Sequence, residues 1–203
     1  MKTILKIVVW VAVVFVVLFI GFAILGFWHK AQLKKTADAI ERINARKIDL
    51  DDVMGKNLPP KPDQQLNDST VAGIDANNNG IRDDVELAIF EKYPNSAKIR
   101  AAMLQYAQEL QSEFSDIFNN DTWIAVAKDE NNGISCLVDL AFGEYNNTVD
   151  QINKSKEWIE EIEKLVFNND LRVKKREYIK RYETAYAVGD GKCDISLSYL
   201  QDK

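Results

Sequence analysis

The sequence predicts an all-α protein, in which an N-terminal transmembrane helix and a stalk are followed by a small helical bundle of about four helices. Three observations predict this fold. One long apolar segment lies near the N-terminus, and apolar residues recur at helical spacing through most of the remaining chain. The alternation of apolar and polar residues that is typical of strands is scarce. With 203 residues, the chain is long enough for one domain and an accessory segment.

The first element is the apolar segment of residues 7–28, which contains no charged residue and no proline. As a helix it extends about 33 Å, which matches a hydrocarbon core of about 30 Å. It exceeds the apolar core of a cleavable signal peptide, about 7–15 residues long, and no small-residue cleavage site follows it. We therefore interpret residues 7–28 as an uncleaved transmembrane anchor and residues 1–6 as a short cytoplasmic N-terminus.

The segments after the anchor differ in their helical signals. Residues 29–54 continue the helical spacing and are interpreted as a helical stalk. Residues 55–73 contain Pro59, Pro60 and Pro62, which stop helices and favour an extended chain. We interpret this stretch as a linker, and residues 74–203 as the domain.

Five helical patterns follow the linker. One of them is interrupted and corresponds to either one helix or two. The Asn131–Gly133 stretch either splits the third pattern into two helices or lies within one helix. Asn95 or Ser96 is expected to cap the second helix. The patterns cover residues 84–93, 96–118, 122–142, 149–167 and 170–188.

Composition argues against several classes of function. The net charge is −5, whereas a nucleic-acid-binding surface needs a basic face to meet the phosphates. The sequence holds one histidine, His29, which directly follows the anchor. A single histidine excludes a zinc site with several histidine ligands, and its position argues against a Ser-His-Asp centre.

The segment from Asp75 to Glu86 carries the pattern D-x-[DN]-x-[DN]-G followed by five residues and Glu. Calcium prefers about 6–8 oxygen ligands at about 2.3–2.6 Å, which short Asp and Asn side chains can supply from a tight loop. Gly80 permits the sharp bend. The candidate ligands are Asp75, Asn77, Asn79, the backbone carbonyl of Ile81, Asp83 directly or through water, and Glu86 with both carboxylate oxygens.

This segment resembles the calcium loop of EF-hand proteins, and the resemblance, which covers the loop alone, implies Ca²⁺ as the cofactor. Arg82 stands at the eighth position, which is usually apolar, and the prolines before the loop do not suit an entering helix. No second loop is found in the sequence. The segment is therefore similar to the single loop-then-helix variant of bacterial extracytoplasmic proteins, which implies a structural site of micromolar to millimolar affinity. The alternative is an Asx-rich turn that caps a helix without metal.

The two cysteines, Cys136 and Cys193, lie far downstream of the anchor. Cys136 belongs to a helical pattern and Cys193 to the C-terminal tail, so a disulfide would attach the tail to the bundle. Two unrelated thiols are the alternative. A catalytic cysteine is disfavoured because the domain contains no histidine to activate it.

Lysines flank both ends of the anchor, so the positive-inside rule does not decide the orientation. The cysteines and the calcium loop favour an oxidising, calcium-rich compartment for the rest of the chain. We therefore expect a single-pass protein of the bacterial inner membrane whose C-terminal domain is periplasmic.

Three functions agree with these features. The leading hypothesis is a non-enzymatic, membrane-anchored calcium-binding protein that interacts with a partner protein or supports an envelope process. A second hypothesis is an immunity protein that neutralises a secreted toxin. The third is a calcium-dependent hydrolase that uses carboxylates, and it requires acidic side chains converging in a cleft away from the loop.

Overall fold

The computed structural model describes residues 2–183 and 188–201. Every regular element within these residues is helical, which confirms the predicted all-α fold. The α-helices in chain order are α1 (Lys2–Ala45), α2 (Leu50–Met54), α3 (Gln64–Asp68), α4 (Asp83–Lys92), α5 (Ala97–Ser115), α6 (Asn120–Glu144), α7 (Thr148–Val166) and α8 (Asp170–Ile179). Two short 3₁₀ helices cover Lys180–Tyr182 and Leu197–Tyr199.

The chain divides into two compact units, Met1–Ala39 and Ile40–Lys203. The first unit consists of the N-terminal part of α1, which is long and apolar enough to cross a membrane, with a mean hydropathy of 2.8. From Trp10 to Trp28 the side chains of this helix are exposed. An exposed, continuous apolar surface of this kind is typical of a segment that contacts lipid.

The second unit is built around α5, which packs most extensively on α6 and α7 and also contacts α2, α4 and α8. Within the helical pattern predicted for residues 96–118, the apolar residues from Met103 to Phe114 and Ile117 are buried, and Ile99 is half-buried. Leu137 and Leu140 of α6 and Trp158 of α7 pack into the same core. Helices α4 to α8 thus form the predicted bundle. The end of α1 also contributes, because Ile43 is buried in a smaller cluster with Ile117, Val126 and Ile179.

Helix α6 is continuous from Asn120 to Glu144, so the alternative of a split at Asn131–Gly133 is wrong. The glycine there serves close packing. A Cβ at Gly133 would lie 3.0 Å from the Cα of Tyr106, so only glycine lets α6 approach α5 this closely. The Asn131 amide donates to the carbonyl of Ala127 within the helix.

Helix α8 is shorter than the predicted 170–188. It ends at Ile179 and passes into the 3₁₀ helix Lys180–Tyr182, a common way for an α-helix to finish. Residues 184–187 lie outside the described residues, and Val188 is not helical. The following Gly189 lies against α6, where an added Cβ would be 2.7 Å from the Lys128 carbonyl oxygen. At Val188 and Gly189 the chain is therefore not helical and lies against α6.

Asp or Asn residues begin five of the eight α-helices in the described part of the chain. Their side-chain oxygens accept hydrogen bonds from backbone N–H groups that the first helical turn leaves unpaired. The caps of this kind are Asp49, Asp63, Asn119, Asn147 and Asn169. Ser96 caps α5, which is one of the two residues predicted for that position.

Cys136 and Cys193 are disulfide-bonded, as predicted, and close a loop of 57 residues. A loop of this length corresponds to about 4 kcal/mol in the chain-entropy model. Hydrogen bonds hold the same tail. The Gly191 N–H donates to the Asn132 side chain at 2.9 Å, and the Asp194 N–H donates to the Gln105 side chain at 2.8 Å. The tail is therefore an integral part of the second unit.

Glu109 and Glu113 of α5 are buried, and Glu130 of α6, which lines the same cavity as Glu113, is half-buried. Burial raises the pKa of each carboxyl above its ordinary value near 4.5. For Glu113 the pKa rises to about 7, although the nearby Arg176 opposes the shift. For Glu130 the charge of Glu113 adds to the effect of burial and raises the pKa further.

These raised pKa values predict that the second unit is more stable in mild acid. Below pH 4.5 the folded and unfolded chains both bind the proton of Glu113, and above it only the folded chain keeps that proton, up to about pH 7. The free energy of unfolding contributed by Glu113 therefore falls as the pH rises through this window. We expect Glu113→Gln to reduce the loss between pH 5 and pH 8 by about 2 kcal/mol.

The measurement is urea unfolding of the full chain in detergent with a calcium chelator present. Glu160→Gln is the matched control, because Glu160 lies on the surface of α7 and pairs only with exposed lysines. An unchanged pH dependence in Glu113→Gln would contradict the proposed contribution of this carboxyl.

Candidate calcium site

The predicted calcium loop lies between α3 and α4, and its last residues form the first turn of α4. The Asp83 N–H donates to the Ile74 carbonyl at 2.8 Å and closes the base of the loop. Asn78 and Gly80 have positive φ angles of 58° and 84°. Gly80 thus takes the left-handed conformation that the tight bend requires.

The side chains of three predicted ligands turn inward and accept hydrogen bonds from the loop backbone. The Asp75 carboxylate accepts from the N–H groups of Asn79 and Gly80, at 3.2 and 2.9 Å. The Asp83 carboxylate accepts from Ala76 N–H at 2.9 Å. The Asn79 side chain accepts from Ile81 N–H at 2.9 Å. These hydrogen bonds hold the loop closed, with the three side chains on its inner side.

The remaining predicted ligands are Asn77 and Glu86, which contact each other, and Ile81. Glu86 is buried, and its Oε2 accepts a hydrogen bond from the Asn77 amide at 3.0 Å. The loop residue at the third position and the glutamate at the twelfth thus face each other. Ile81 is buried with its side chain in the hydrophobic core, which fixes the loop to the bundle.

Two oxygen atoms of the predicted ligands are buried without a hydrogen-bond partner among the described residues. They are Oδ1 of Asn77 and Oδ2 of Asp83. Buried acceptors of this kind are rare in folded proteins, because leaving one unpaired costs about 1–3 kcal/mol. Amide and carboxylate oxygens are the ligand atoms that Ca²⁺ prefers, so the atoms left unpaired fit a calcium ion.

The acids at the loop are buried and repel one another. Burial raises the pKa of Asp83, and repulsion by Asp75 adds to the shift. Burial raises the pKa of Glu86 to about 7, with further contributions from Asp52 and Asp83. No Lys or Arg side chain is among the principal groups acting on these two carboxyls in the described chain. The loop therefore holds buried negative charge that its own cationic residues do not neutralise.

The structure does not gather the three predicted carboxylates into one cluster. Among the described residues, no group of three or more His, Cys, Asp or Glu side chains lies close enough to hold a metal ion. The carboxylates of Asp75 and Asp83 are directed to backbone N–H groups, and that of Glu86 to Asn77. The predicted ligand oxygens are thus spread along a single loop, and the carboxylates do not form one cluster.

Arg82, the residue that departs from the apolar eighth position, is completely buried. Its guanidinium pairs with Asp84 and donates to the carbonyls of Leu165 and Val166 at 2.7 and 3.1 Å. These carbonyls lie at the C-terminal end of α7, where backbone acceptors have no helical partner. Arg82 therefore attaches the loop to the bundle, in place of contacts with a second loop.

A second buried arginine, Arg172 of α8, holds the chain that leads into the loop. It pairs with Asp68 at 2.8 Å and donates to the carbonyls of Asn67 and Val71 at 2.6 and 3.1 Å. Arg172 carries no local sequence signal, because these partners lie about a hundred residues away. The loop is therefore fixed by one arginine before it and one within it.

Asp52 of α2 is an acid that lies outside the loop sequence and is only 9% exposed. It is buried because α2 packs on α5 and Asp52 lies on the inward side of α2. Burial raises the pKa of Asp52, and the charge of Asp52 adds to the upward shift of the Glu86 pKa.

A cavity lined by acids exists away from the loop, as a carboxylate-using hydrolase would require. It measures about 150 Å³ and is lined by Glu113, Glu130, Arg176 and neighbouring residues of α5, α6 and α8. Small-molecule sites have volumes of about 300–1,000 Å³. Glu113 also faces Arg176 at 3.5 Å, which supplies its charge partner. This cavity therefore gives the hydrolase hypothesis little support.

The chain was compared with models of protein families, with curated proteins and with solved structures, and none of the three comparisons found a match. The function is therefore argued from the loop and its surroundings.

Proposed function

We propose that this chain is a membrane-anchored calcium-binding protein whose C-terminal unit acts as a non-enzymatic interaction or envelope-support module. The observation that carries the proposal is the pair of unpartnered buried oxygens, Asn77 Oδ1 and Asp83 Oδ2. Both occupy ligand positions of the EF-hand-like pattern. A divalent cation satisfies such atoms and neutralises the acids around them.

The residues that would hold the ion are those predicted from the sequence. Asp75 and Asp83 supply carboxylates from the two ends of the loop, and Asn77 and Asn79 supply amide oxygens. Glu86 supplies a carboxylate from α4 and Ile81 a carbonyl. With a cation present the charged form of Glu86 is favoured, so its pKa falls. Calcium binding should therefore release protons near pH 7 and weaken in acid.

A structural role suits this loop better than a switch. Arg82 attaches the loop to α7, and Arg172 holds the lead-in segment, so both ends are fixed to the bundle. A loop held in this way has little freedom to reorient a helix pair when calcium binds. We propose that the ion braces the second unit, which then presents a stable surface to a partner protein.

The compartment follows from the anchor and the disulfide. The N-terminal helix is long and apolar enough for a single-pass anchor. The Cys136–Cys193 bond is typical of an oxidising environment. We propose the bacterial inner membrane, with the C-terminal unit in the periplasm, where calcium is also more abundant than in the cytoplasm.

Calcium binding is tested by calorimetry on the full chain in detergent. We expect binding with micromolar to millimolar affinity, and a loss of about tenfold or more in Asp83→Asn, because one charged ligand is removed. Asp121→Asn is the matched control, since Asp121 also lies in the first turn of a helix but is exposed. The absence of heat at millimolar calcium in the wild-type chain would overturn the proposed function.

The orientation is tested by the redox state of the cysteines in cells. Thiols are blocked with a membrane-permeant reagent before lysis, and the mass of the unreduced protein is then measured. We expect Cys136 and Cys193 to be unmodified and bonded to each other, because the compartment oxidises them. Quantitative modification of both cysteines would place the unit in a reducing compartment and refute the proposed orientation.

A further inference from the structure

Helix α1 carries a group of basic residues directly after its apolar segment. Lys30, Lys34 and Lys35 are exposed. No Asp or Glu precedes Asp38 in the sequence, which lies one turn beyond Lys34. This short part of α1 is therefore positively charged, whereas the chain as a whole has a net charge of −5.

Lys30 and Lys34 lie on one face of α1, because residues four apart on a helix are neighbours, with Cβ atoms about 5–6 Å apart. Phe27, three residues before Lys30, belongs to the same face and is 74% exposed. An exposed aromatic ring thus lies one turn before two ammonium groups. An apolar surface followed by an aromatic ring and then by lysines matches the change from hydrocarbon to headgroups at a bilayer surface.

The positions of the two lysines along α1 match the depth of phospholipid headgroups. Lys30 lies about 3 Å and Lys34 about 9 Å beyond Trp28, the last residue of the predicted anchor. The headgroup region extends about 5–8 Å beyond the hydrocarbon core on each side. A lysine side chain can bend to place its ammonium group at this level, so both lysines are within reach of headgroup phosphates.

The positive-inside rule accounts for basic residues at one end of the anchor only. In the proposed orientation, the cytoplasmic end is the one that carries Lys2 and Lys6. Lys30 and Lys34 then lie at the opposite end, where this rule does not favour lysine. An interaction other than the one that orients the anchor is needed to explain them.

We propose that Lys30 and Lys34 form a binding site for an anionic phospholipid in the leaflet on the C-terminal side of the anchor. The two ammonium groups bind the phosphate as neighbouring point charges, and Phe27 packs beside the glycerol region. A lipid fits this face better than an acidic protein does, because the lysines continue directly from the apolar surface that contacts lipid. The inference rests on the membrane anchor and the orientation of the proposed function, and it does not depend on calcium.

The test is native mass spectrometry of the full chain in detergent micelles that contain equal amounts of phosphatidylglycerol and phosphatidylcholine with the same acyl chains. We expect the wild type to retain phosphatidylglycerol preferentially. Lys30→Gln combined with Lys34→Gln should lower this preference about fivefold or more, because each lysine near an anionic lipid surface contributes about that factor. Glutamine has nearly the helix propensity of lysine, so α1 is preserved.

Two further double variants control for charge. Lys30→Arg with Lys34→Arg keeps both charges, so we expect it to retain the preference for phosphatidylglycerol. Lys156→Gln with Lys164→Gln removes the same net charge from the exposed surface of α7 and should behave as the wild type. An equal loss of preference in this α7 variant would show that net charge alone attracts the lipid, and would overturn the inference.

The other end of the anchor is tested in the same way. We expect Lys2→Gln with Lys6→Gln to leave a preference that the further removal of Lys30 and Lys34 abolishes. Loss of the whole preference on changing Lys2 and Lys6 alone would place the lipid at the N-terminal end and overturn the inference.

Reconstitution into phosphatidylcholine vesicles, followed by alkaline extraction, separates this inference from the proposed function. Loss of the wild-type chain from the vesicles would refute the membrane anchor itself. Retention in the vesicles without any preference for phosphatidylglycerol in the micelles would leave the anchor intact and overturn the lipid site alone. The latter is the result expected if these lysines instead bind an acidic protein.

Discussion

The burial of acidic oxygens without a matching positive charge is the constraint on which this structure depends. At the loop between α3 and α4, Asp83 and Glu86 are almost completely buried, and both repel and are repelled by neighbouring acids. Elsewhere in the second unit some buried acids have basic partners, as Glu113 has Arg176 and Asp116 has Arg46, whereas Oε2 of Glu109 is also buried without a hydrogen-bond partner among the described residues. The proposed calcium ion would neutralise the acids at this loop.

The two buried arginines explain how such a loop is kept in place. Arg82 pairs with Asp84 and Arg172 with Asp68, and both also donate to backbone carbonyls, so the two guanidinium groups position the chain before the loop and within it. Gly73 belongs to this arrangement, because an added Cβ would lie 2.2 Å from the Arg82 side chain. The disulfide and the hydrogen bonds of Asp194 fix the C-terminal tail on the other elements of the bundle. Together these contacts hold the loop and the tail against the bundle.

Local signals predicted much of the fold. The helical pattern of residues 96–118, the cap at Ser96 and the pattern from Asp75 to Glu86 each involve residues near in sequence, which periodicity and spacing can identify. Of the long-range contacts, the Cys136–Cys193 bond was predicted and the others were not. Gly133 was interpreted as a possible helix break because the approach of α5 is invisible in the sequence, and nothing local in the sequence indicates that Asp52 is buried against α5. Arg82 was recognised as unusual, but its partners on α7 emerged only from the structure.

A crystal structure of the full chain grown in millimolar calcium, with anomalous diffraction data collected to locate the ion, is the most direct measurement. We predict one calcium peak at the loop, bound by Asn77 Oδ1, Asp83 Oδ2 and Glu86. A well-ordered loop that contains no calcium peak under these conditions would contradict the central role given to the ion.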